Sequence, residues 1–150
     1  MRIVIQRVLH ANVKVDNEVV GKINNGLLVF LGVAEGDAEE DVNWLAKKLI
    51  NLRVFNDEDG KMNLSVNDIA GELLIVSQFT LHASTKKGNR PSFIKSADPK
   101  TGEKLYNYFI EHLIKGYQLK VATGVFGAMM EIELLNDGPV TIIMDSKNKE

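Results

Sequence analysis

The sequence contains no cysteine, which excludes a disulfide framework, a thiolate nucleophile and any Cys-ligated zinc site. That composition is compatible with a reducing compartment. Long hydrophobic runs are also missing. The longest, residues 27–34, is interrupted by Gly32 and falls far short of the roughly 18 residues that a membrane span needs. Arginine recurs at positions 2 and 7 with no apolar stretch of signal-peptide type after it, so no leader and no membrane association are expected. There is no excess of positive charge either: 18 basic and 20 acidic residues give a net charge of −2, which argues against a protein that coats nucleic acid through an overall basic surface. The G-x-S-x-G elbow, the Walker loop, G-x-G-x-x-G and H-E-x-x-H are all absent. His10, His82 and His112 fall in different elements, so no metal cluster is expected. The acidic run Asp57-Glu58-Asp59-Gly60 resembles a calcium loop but lacks its spacing and closing bidentate Glu, and is read as a turn.

What remains is an ordinary globular composition, 45% hydrophobic and 25% charged. At 150 residues the chain matches a single domain, long enough to bury about two-thirds of its unfolded surface. No internal repeat, linker or domain boundary is evident, so residues 1–150 are read as one domain with a polar tail that frays from about 146.

Strand patterns fill the first third: Ile3, Ile5 and Val8, then Val13-Lys14-Val15, then the segment around Val19 to Ile23. Asn24-Asn25-Gly26 is a turn signal, and residues 27–31 read as a strand buried on both faces. A helix follows, with Asp37 as its expected cap, Glu40 three residues on, and an apolar stripe of Val42, Leu45, Ala46, Leu49 and Ile50. A short strand is expected at residues 52–55 and another at 72–79. A polar loop then runs from His82 to about Ala97. Asp98-Pro99 opens a second helix in the favoured cap-then-proline order. Its stripe is Leu105, Tyr106, Phe109, Ile110, Leu113 and Ile114, and Gly116 is placed to end it. Strands return at 118–123, 130–135 and 140–144. Two main helices and about seven strands indicate an α/β or α+β domain.

Two segments do not fit simple packing. In Ser77-Gln78-Phe79-Thr80, hydrogen-bonding side chains emerge from a strongly apolar strand. They mark either a site at the strand's C-terminal edge or a strand end whose polar groups bond nearby backbone. In Asn136-Asp137-Gly138-Pro139-Val140-Thr141, a turn or rigid bend joins two apolar strands. Gly138 admits close approach to the main chain and Pro139 removes a donor. Charge is also uneven. Residues 86–104 hold six basic and two acidic residues, +4, leaving −6 elsewhere. Such a patch either binds phosphate or faces water.

These segments belong to a larger pattern. Ile5-Gln6-Arg7-Val8, Gly26-Leu27-Leu28-Val29-Phe30-Leu31-Gly32-Val33, Gly60-Lys61-Met62-Asn63-Leu64, Ser77-Gln78-Phe79-Thr80-Leu81, Lys87-Gly88-Asn89-Arg90-Pro91-Ser92-Phe93, Thr123-Gly124-Val125-Phe126-Gly127-Ala128 and Asn136-Asp137-Gly138-Pro139-Val140-Thr141 occur in one order along nearly the whole chain. Together they resemble the D-aminoacyl-tRNA deacylase family, also called D-tyrosyl-tRNA deacylases.

The resemblance implies a compact three-layer β/β/α domain, cytoplasmic and homodimeric, that needs no metal or organic cofactor. It implies hydrolysis of the ester joining a D-amino acid, or mischarged glycine, to the 3′ end of tRNA, with L-aminoacyl-tRNA spared. Gly138-Pro139 then corresponds to a cis bond inserted into the partner subunit's pocket as a main-chain chirality filter, with Arg7 supporting it. Ser77, Gln78, Phe79 and Thr80 correspond to the catalytic wall. The N–H groups of Phe79 and Thr80 would hold an oxyanion. Thr80 would either attack or position water, and water assisted by the ribose 2′-hydroxyl is the preferred route because no base accompanies Thr80. Phe126 and Met130 match positions around the terminal adenine, while their residue types suit core packing equally well. Lys86, Lys87 and Arg90 are placed to meet acceptor-stem phosphates. The chain departs from the family pattern at His82-Ala83-Ser84 and Met129. His82 is expected on a surface loop, near enough to the site to influence its pH profile. A non-catalytic tRNA-binding module of the same fold, a general esterase and a purely structural dimer are the rival readings.

Overall fold

The computed structural model describes residues 1–149. Eight strands, two α-helices and one 3₁₀ turn follow in the order β1 (Arg2–Val15), β2 (Glu18–Ile23), β3 (Gly26–Gly32), α1 (Glu39–Ile50), β4 (Phe55–Asn56), β5 (Met62–Leu64), β6 (Glu72–Ser77), the turn Phe79–His82, α2 (Pro99–Tyr117), β7 (Lys120–Thr123) and β8 (Glu131–Asp145). The helices are the two expected, and the strands number one more than the seven read from the sequence.

The main sheet is organised by β1. Its first half pairs with β3 and its second half with β2 along the same edge, while β8 runs antiparallel along the other edge. The Asn24-Asn25-Gly26 link therefore sets β2 and β3 along one neighbour rather than against each other. Two parallel pairs continue the sheet, β3 with β6 and β6 with β7. Parallel neighbours need long crossovers, and α1 and α2 lie in these two connections. The sheet curls until β2 approaches β7, where a Cβ on Gly21 would collide with the carbonyl oxygen of Thr123. Gly26 is similarly required, because a Cβ there would meet the Glu72 backbone.

Two cores result. One lies between sheet and helices and includes Ile3, Ile5, Leu27, Val29, Leu73, Ile75, Leu45, Leu49, Phe109 and Leu113. The other lies inside the curl and includes Val8, Ala11, Val13, Leu28, Leu74 and Val76. The curled sheet thus supplies two β layers and the helices a third. Both helices bury the expected stripes except at Ile114, which is exposed, and Ile110, which is only partly covered.

Several local expectations are corrected. Asp37 does not cap α1. The cap residue is Ala38, whose N–H donates to Asp41 Oδ2 at 2.9 Å. Asp37 instead accepts from the Met1 ammonium and from the Ala34 N–H, both at 2.6 Å. Asp98 does cap α2, accepting from the Thr101 N–H at 3.1 Å. Gly116 does not end that helix. It continues to Tyr117, and Gln118 closes it in the left-handed region at φ 55°. The strand expected at 52–55 lies at Phe55–Asn56.

The two strands expected at 130–135 and 140–144 are one, β8. Across β1, Gln6 faces Thr141 and Val8 faces Asn136. Residues 137–140 of β8 therefore oppose Arg7 alone, and the excess bulges outward. The fraying expected from about 146 does not describe Ser146, which is buried. Its hydroxyl accepts from the Met1 ammonium at 2.9 Å and its N–H donates to the Met1 carbonyl at 2.9 Å. Lys147 reaches Asp41 at 2.8 Å.

Candidate active site

The chain leaves β6 at Ser77 and turns sharply. The Gln78 N–H donates to the Leu31 carbonyl at 2.8 Å, which continues the β3–β6 ladder by one step, and the 3₁₀ turn begins at Phe79. A short turn of this kind leaves its first N–H groups without intra-turn partners, here those of Phe79 and Thr80. The strand expected to run to residue 79 stops two residues early for this reason. Gln78 Nε2 donates to Thr80 Oγ1 at 2.5 Å, so the Thr80 hydroxyl is already held by its neighbour. Phe79 is exposed and meets Phe93 edge-on, with ring centroids 5.0 Å apart. The Ser96 hydroxyl donates to the Phe79 carbonyl at 3.1 Å.

His82 closes the turn and is buried, not on a surface loop, with Nε2 3.0 Å from the Gly32 carbonyl oxygen. A carbonyl can only accept, so this nitrogen carries the hydrogen. Arg2 reaches the same turn from β1, donating from Nη1 to the Leu81 carbonyl at 2.8 Å.

Beside the turn lies a cavity of about 630 Å³, within the range of small-molecule sites. Ser77, Gln78, Phe79 and Thr80 form one part of its lining, and Phe126 and Met130 another. The start of α2 contributes Asp98, Pro99, Gly102 and Tyr106. Phe126 is seated by α2: its ring centroid is 5.7 Å from that of Tyr106, and a Cβ on Gly102 would come within 3.3 Å of Phe126 Cζ.

Among the described lining side chains, two titrate in the ordinary sense, Tyr106 and Asp98. Tyr106 donates its hydroxyl to the Ile75 carbonyl at 2.8 Å, and burial pushes its pKa well above the usual tyrosine range. The hydrogen bonds from Thr101 hold the Asp98 carboxyl below its ordinary value. Among the described residues, no group of three or more His, Asp or Glu side chains converges in metal-binding fashion.

Arg7, Gly138 and Pro139 do not line this cavity. They form a second cluster at the β1–β8 bulge. The Gly138–Pro139 peptide bond is cis, and both residues are exposed. Arg7 is buried beneath them. Its Nη1 donates to the Val54 carbonyl at 2.5 Å, and its Nε lies 3.1 Å from the Asp137 carbonyl oxygen and 3.0 Å from Asp137 Oδ2. Asn136 Nδ2 donates to the carbonyls of Arg7 and Val140 at 3.0 and 3.1 Å, stitching the base of the bulge. Gly138 has φ 138°, and a Cβ there would collide with Val140 at 2.7 Å. Lys86, Lys87 and Arg90 are exposed in the excursion between Ser84 and Ser92, which is pinched by a bridge between those two residues.

The family model described as D-Tyr-tRNA(Tyr) deacylase matches residues 4–145. The chain belongs to this family. Membership places it among hydrolases of the deacylase class. A protein of Thermosipho africanus named D-aminoacyl-tRNA deacylase is 59% identical over 147 residues, covering 98% of each chain. One of the same name from Bacteroides thetaiotaomicron is 54% identical over 150 residues, covering both chains fully. Among solved structures, one described as c-Myc DNA Unwinding Element Binding Protein superposes with a TM-score of 0.92 at 41% identity, covering 97% of this chain and 98% of that one. A second, described as a probable eukaryotic D-amino acid tRNA deacylase, has a TM-score of 0.80 at 17% identity and covers 95% and 97%. At that identity it speaks to the fold alone.

Sequence reasoning missed the roles of Ser96, Tyr106 and Arg2. Each acts through a contact to a distant carbonyl, and spacing carries no signal of that. Asn136 and Asp137 were within a recognised motif, but their bracing of Arg7 was not legible there.

Proposed function

We propose that the protein hydrolyses the ester bond of D-aminoacyl-tRNA, and of mischarged glycyl-tRNA, releasing free tRNA. The observation that carries this reading is one cavity lined both by Phe79 and Thr80, whose N–H groups open a 3₁₀ turn, and by an apolar wall at Phe126 and Met130. The first suits an ester carbonyl as it becomes an oxyanion, and the second suits a flat terminal adenine.

The attacking group is water. Thr80 has no neighbouring base to take its proton, so in this reading it positions rather than attacks. No histidine or carboxylate lies within the Ser77–Thr80 segment itself, so the ribose 2′-hydroxyl of the substrate serves as the relay. Water adds to the ester carbon while the Phe79 and Thr80 N–H groups hold the oxygen. The bond to the ribose 3′ oxygen then breaks, and that oxygen takes the proton.

Stereochemistry is assigned to Gly138 and Pro139. They project from the bulge and are absent from their own subunit's cavity, so they act in the cavity of a second copy. The exposed Leu135 and Ile143 on β8 support such a homodimer. In this reading main-chain atoms hold the α-amino group and occupy the space that an L side chain would need. Glycine, having no side chain, passes. Lys86, Lys87 and Arg90 meet acceptor-stem phosphates, which position the tRNA without reading sequence. A cytoplasmic location follows from such a substrate.

The test is release of D-tyrosine from D-Tyr-tRNA with enzyme at one-hundredth of the substrate. Many turnovers per subunit support the proposal. Retention of tRNA with no release supports a binding module of the same fold and overturns it.

A further inference from the structure

We propose that Ser96 is a positioning residue that sets the direction of the Thr80 N–H, and through it the oxyanion-holding power of the site. The inference rests on the deacylase reading above and adds a residue that lies outside the cavity lining.

The peptide unit is planar. In a trans peptide, the carbonyl of one residue and the N–H of the next lie in one plane and point in opposite directions. Among the described residues the only cis bond is Gly138–Pro139, so the unit joining Phe79 to Thr80 is trans. Whatever holds the Phe79 carbonyl therefore aims the Thr80 N–H the opposite way. Ser96 Oγ donates to that carbonyl at 3.1 Å.

The neighbouring unit is held differently. The Gln78 carbonyl, whose partner N–H is that of Phe79, accepts from the Leu81 N–H at 3.3 Å within the turn. Both carbonyls lie within the 3₁₀ ladder of the turn, and that of Phe79 accepts from Ser96 in addition, so one of the two oxyanion donors has a brace from outside the turn. Bonds of 3₁₀ type have poor geometry, so an outside donor adds orientation that the turn lacks.

Ser96 is itself firmly placed. It bridges Ala34, and its neighbours bond to the segment beyond β3: the Glu35 N–H donates to the Lys95 carbonyl at 2.9 Å, and the Ala97 N–H to the Val33 carbonyl at 3.0 Å. The hydroxyl therefore projects from a fixed ladder onto the catalytic turn. An orienting bond of this kind matters most when charge develops on the substrate oxygen, and less when the neutral ester merely binds.

The test compares Ser96→Thr with Ser96→Val, which differ only in the hydroxyl, using D-Tyr-tRNA and an uncleavable amide-linked analogue of the D-tyrosyl-adenosine end. The valine variant is expected to lose about ten-fold in kcat, the scale of one hydrogen bond, with KM and analogue Kd held within about two-fold. The threonine variant is expected to keep kcat within about three-fold of the parent. Equal kcat for the two variants overturns the proposal. So does a valine variant whose loss appears in KM and analogue Kd together, because that reports a reshaped cavity. A parent protein that releases no D-tyrosine refutes the deacylase reading instead, and shows it before any variant is made.

Discussion

Replacing Arg7 with methionine keeps most of the side chain's bulk and removes every donor. Three consequences follow from its contacts. The Val54 carbonyl loses its donor at a buried position, and an unsatisfied buried acceptor costs about 1–3 kcal/mol. The Asp137 carboxylate loses its partner but is more than one-third exposed, so water recovers most of that term and its share is about 1 kcal/mol or less. The carbonyl of Asp137, one residue before Gly138, loses its anchor. The total is about 2–4 kcal/mol, which for a chain of this length lowers Tm by about 4–16 °C. The functional effect goes further than the melt. With its brace gone, the Gly138–Pro139 segment no longer keeps one position, and the ratio of D-Tyr-tRNA to L-Tyr-tRNA hydrolysis falls, chiefly because L hydrolysis rises. Thermal melting and paired deacylation assays on the same preparation check both parts. Arg7→Lys, which keeps the charge but not the planar fork, falls between. An Arg7→Met variant that melts like the parent and discriminates like the parent refutes the reasoning.

If water is the nucleophile, as proposed, Thr80→Ala retains appreciable activity, about ten-fold below the parent or better; a loss approaching the roughly million-fold cost of deleting a true nucleophile contradicts this, and single-turnover rates distinguish the two. Changing Lys86, Lys87 and Arg90 together to alanine raises KM for tRNA substrates and lowers the slope of log KM against log salt by about 3, as three phosphate contacts to a duplex require; an unchanged slope removes these residues from the tRNA path. Stability falls in acid through Asp41. Desolvation by burial pushes its carboxyl up, but hydrogen bonds from Lys147, Ser146 and the Ala38 N–H outweigh it and bring the pKa from 3.8 to about 2. A group depressed on folding stabilises above its unfolded value, so about 2 kcal/mol is present above pH 4 or so and is lost as pH falls toward 2. Urea titrations across that window show the loss in the parent and a flattened dependence in Asp41→Asn.

Much of this fold was legible in the sequence because burial has a period. The stripes of α1 and α2 and the doubly buried strands β3 and β6 follow directly from apolar spacing. What spacing could not show was where a polar group finds its partner. Asp37 and Asp41 both suit a helix start, and only the position of the Met1 ammonium assigns Asp37 to a different task. Gly116 offers a natural stop, but packing carries α2 one residue further and Gln118 takes the left-handed turn. The Gly138-Pro139 break was visible, but not that a single strand continues through it, because continuity depends on β1 holding both halves in register. His82 has a loop-like sequence context and is buried by its contact with Gly32, fifty residues away. The site followed the same division: residues 77–80 stood out as polar groups on an apolar strand, whereas the bracing from Ser96 and Arg2 needed the fold.

The most direct test of the account is a three-way time course with trace enzyme on D-Tyr-tRNA, L-Tyr-tRNA and Gly-tRNA. A main-chain filter predicts rapid release of D-tyrosine and glycine with L-tyrosine left on its tRNA. Release of L-tyrosine at a rate comparable to D-tyrosine would contradict the filter, and release of none of the three would contradict the enzyme.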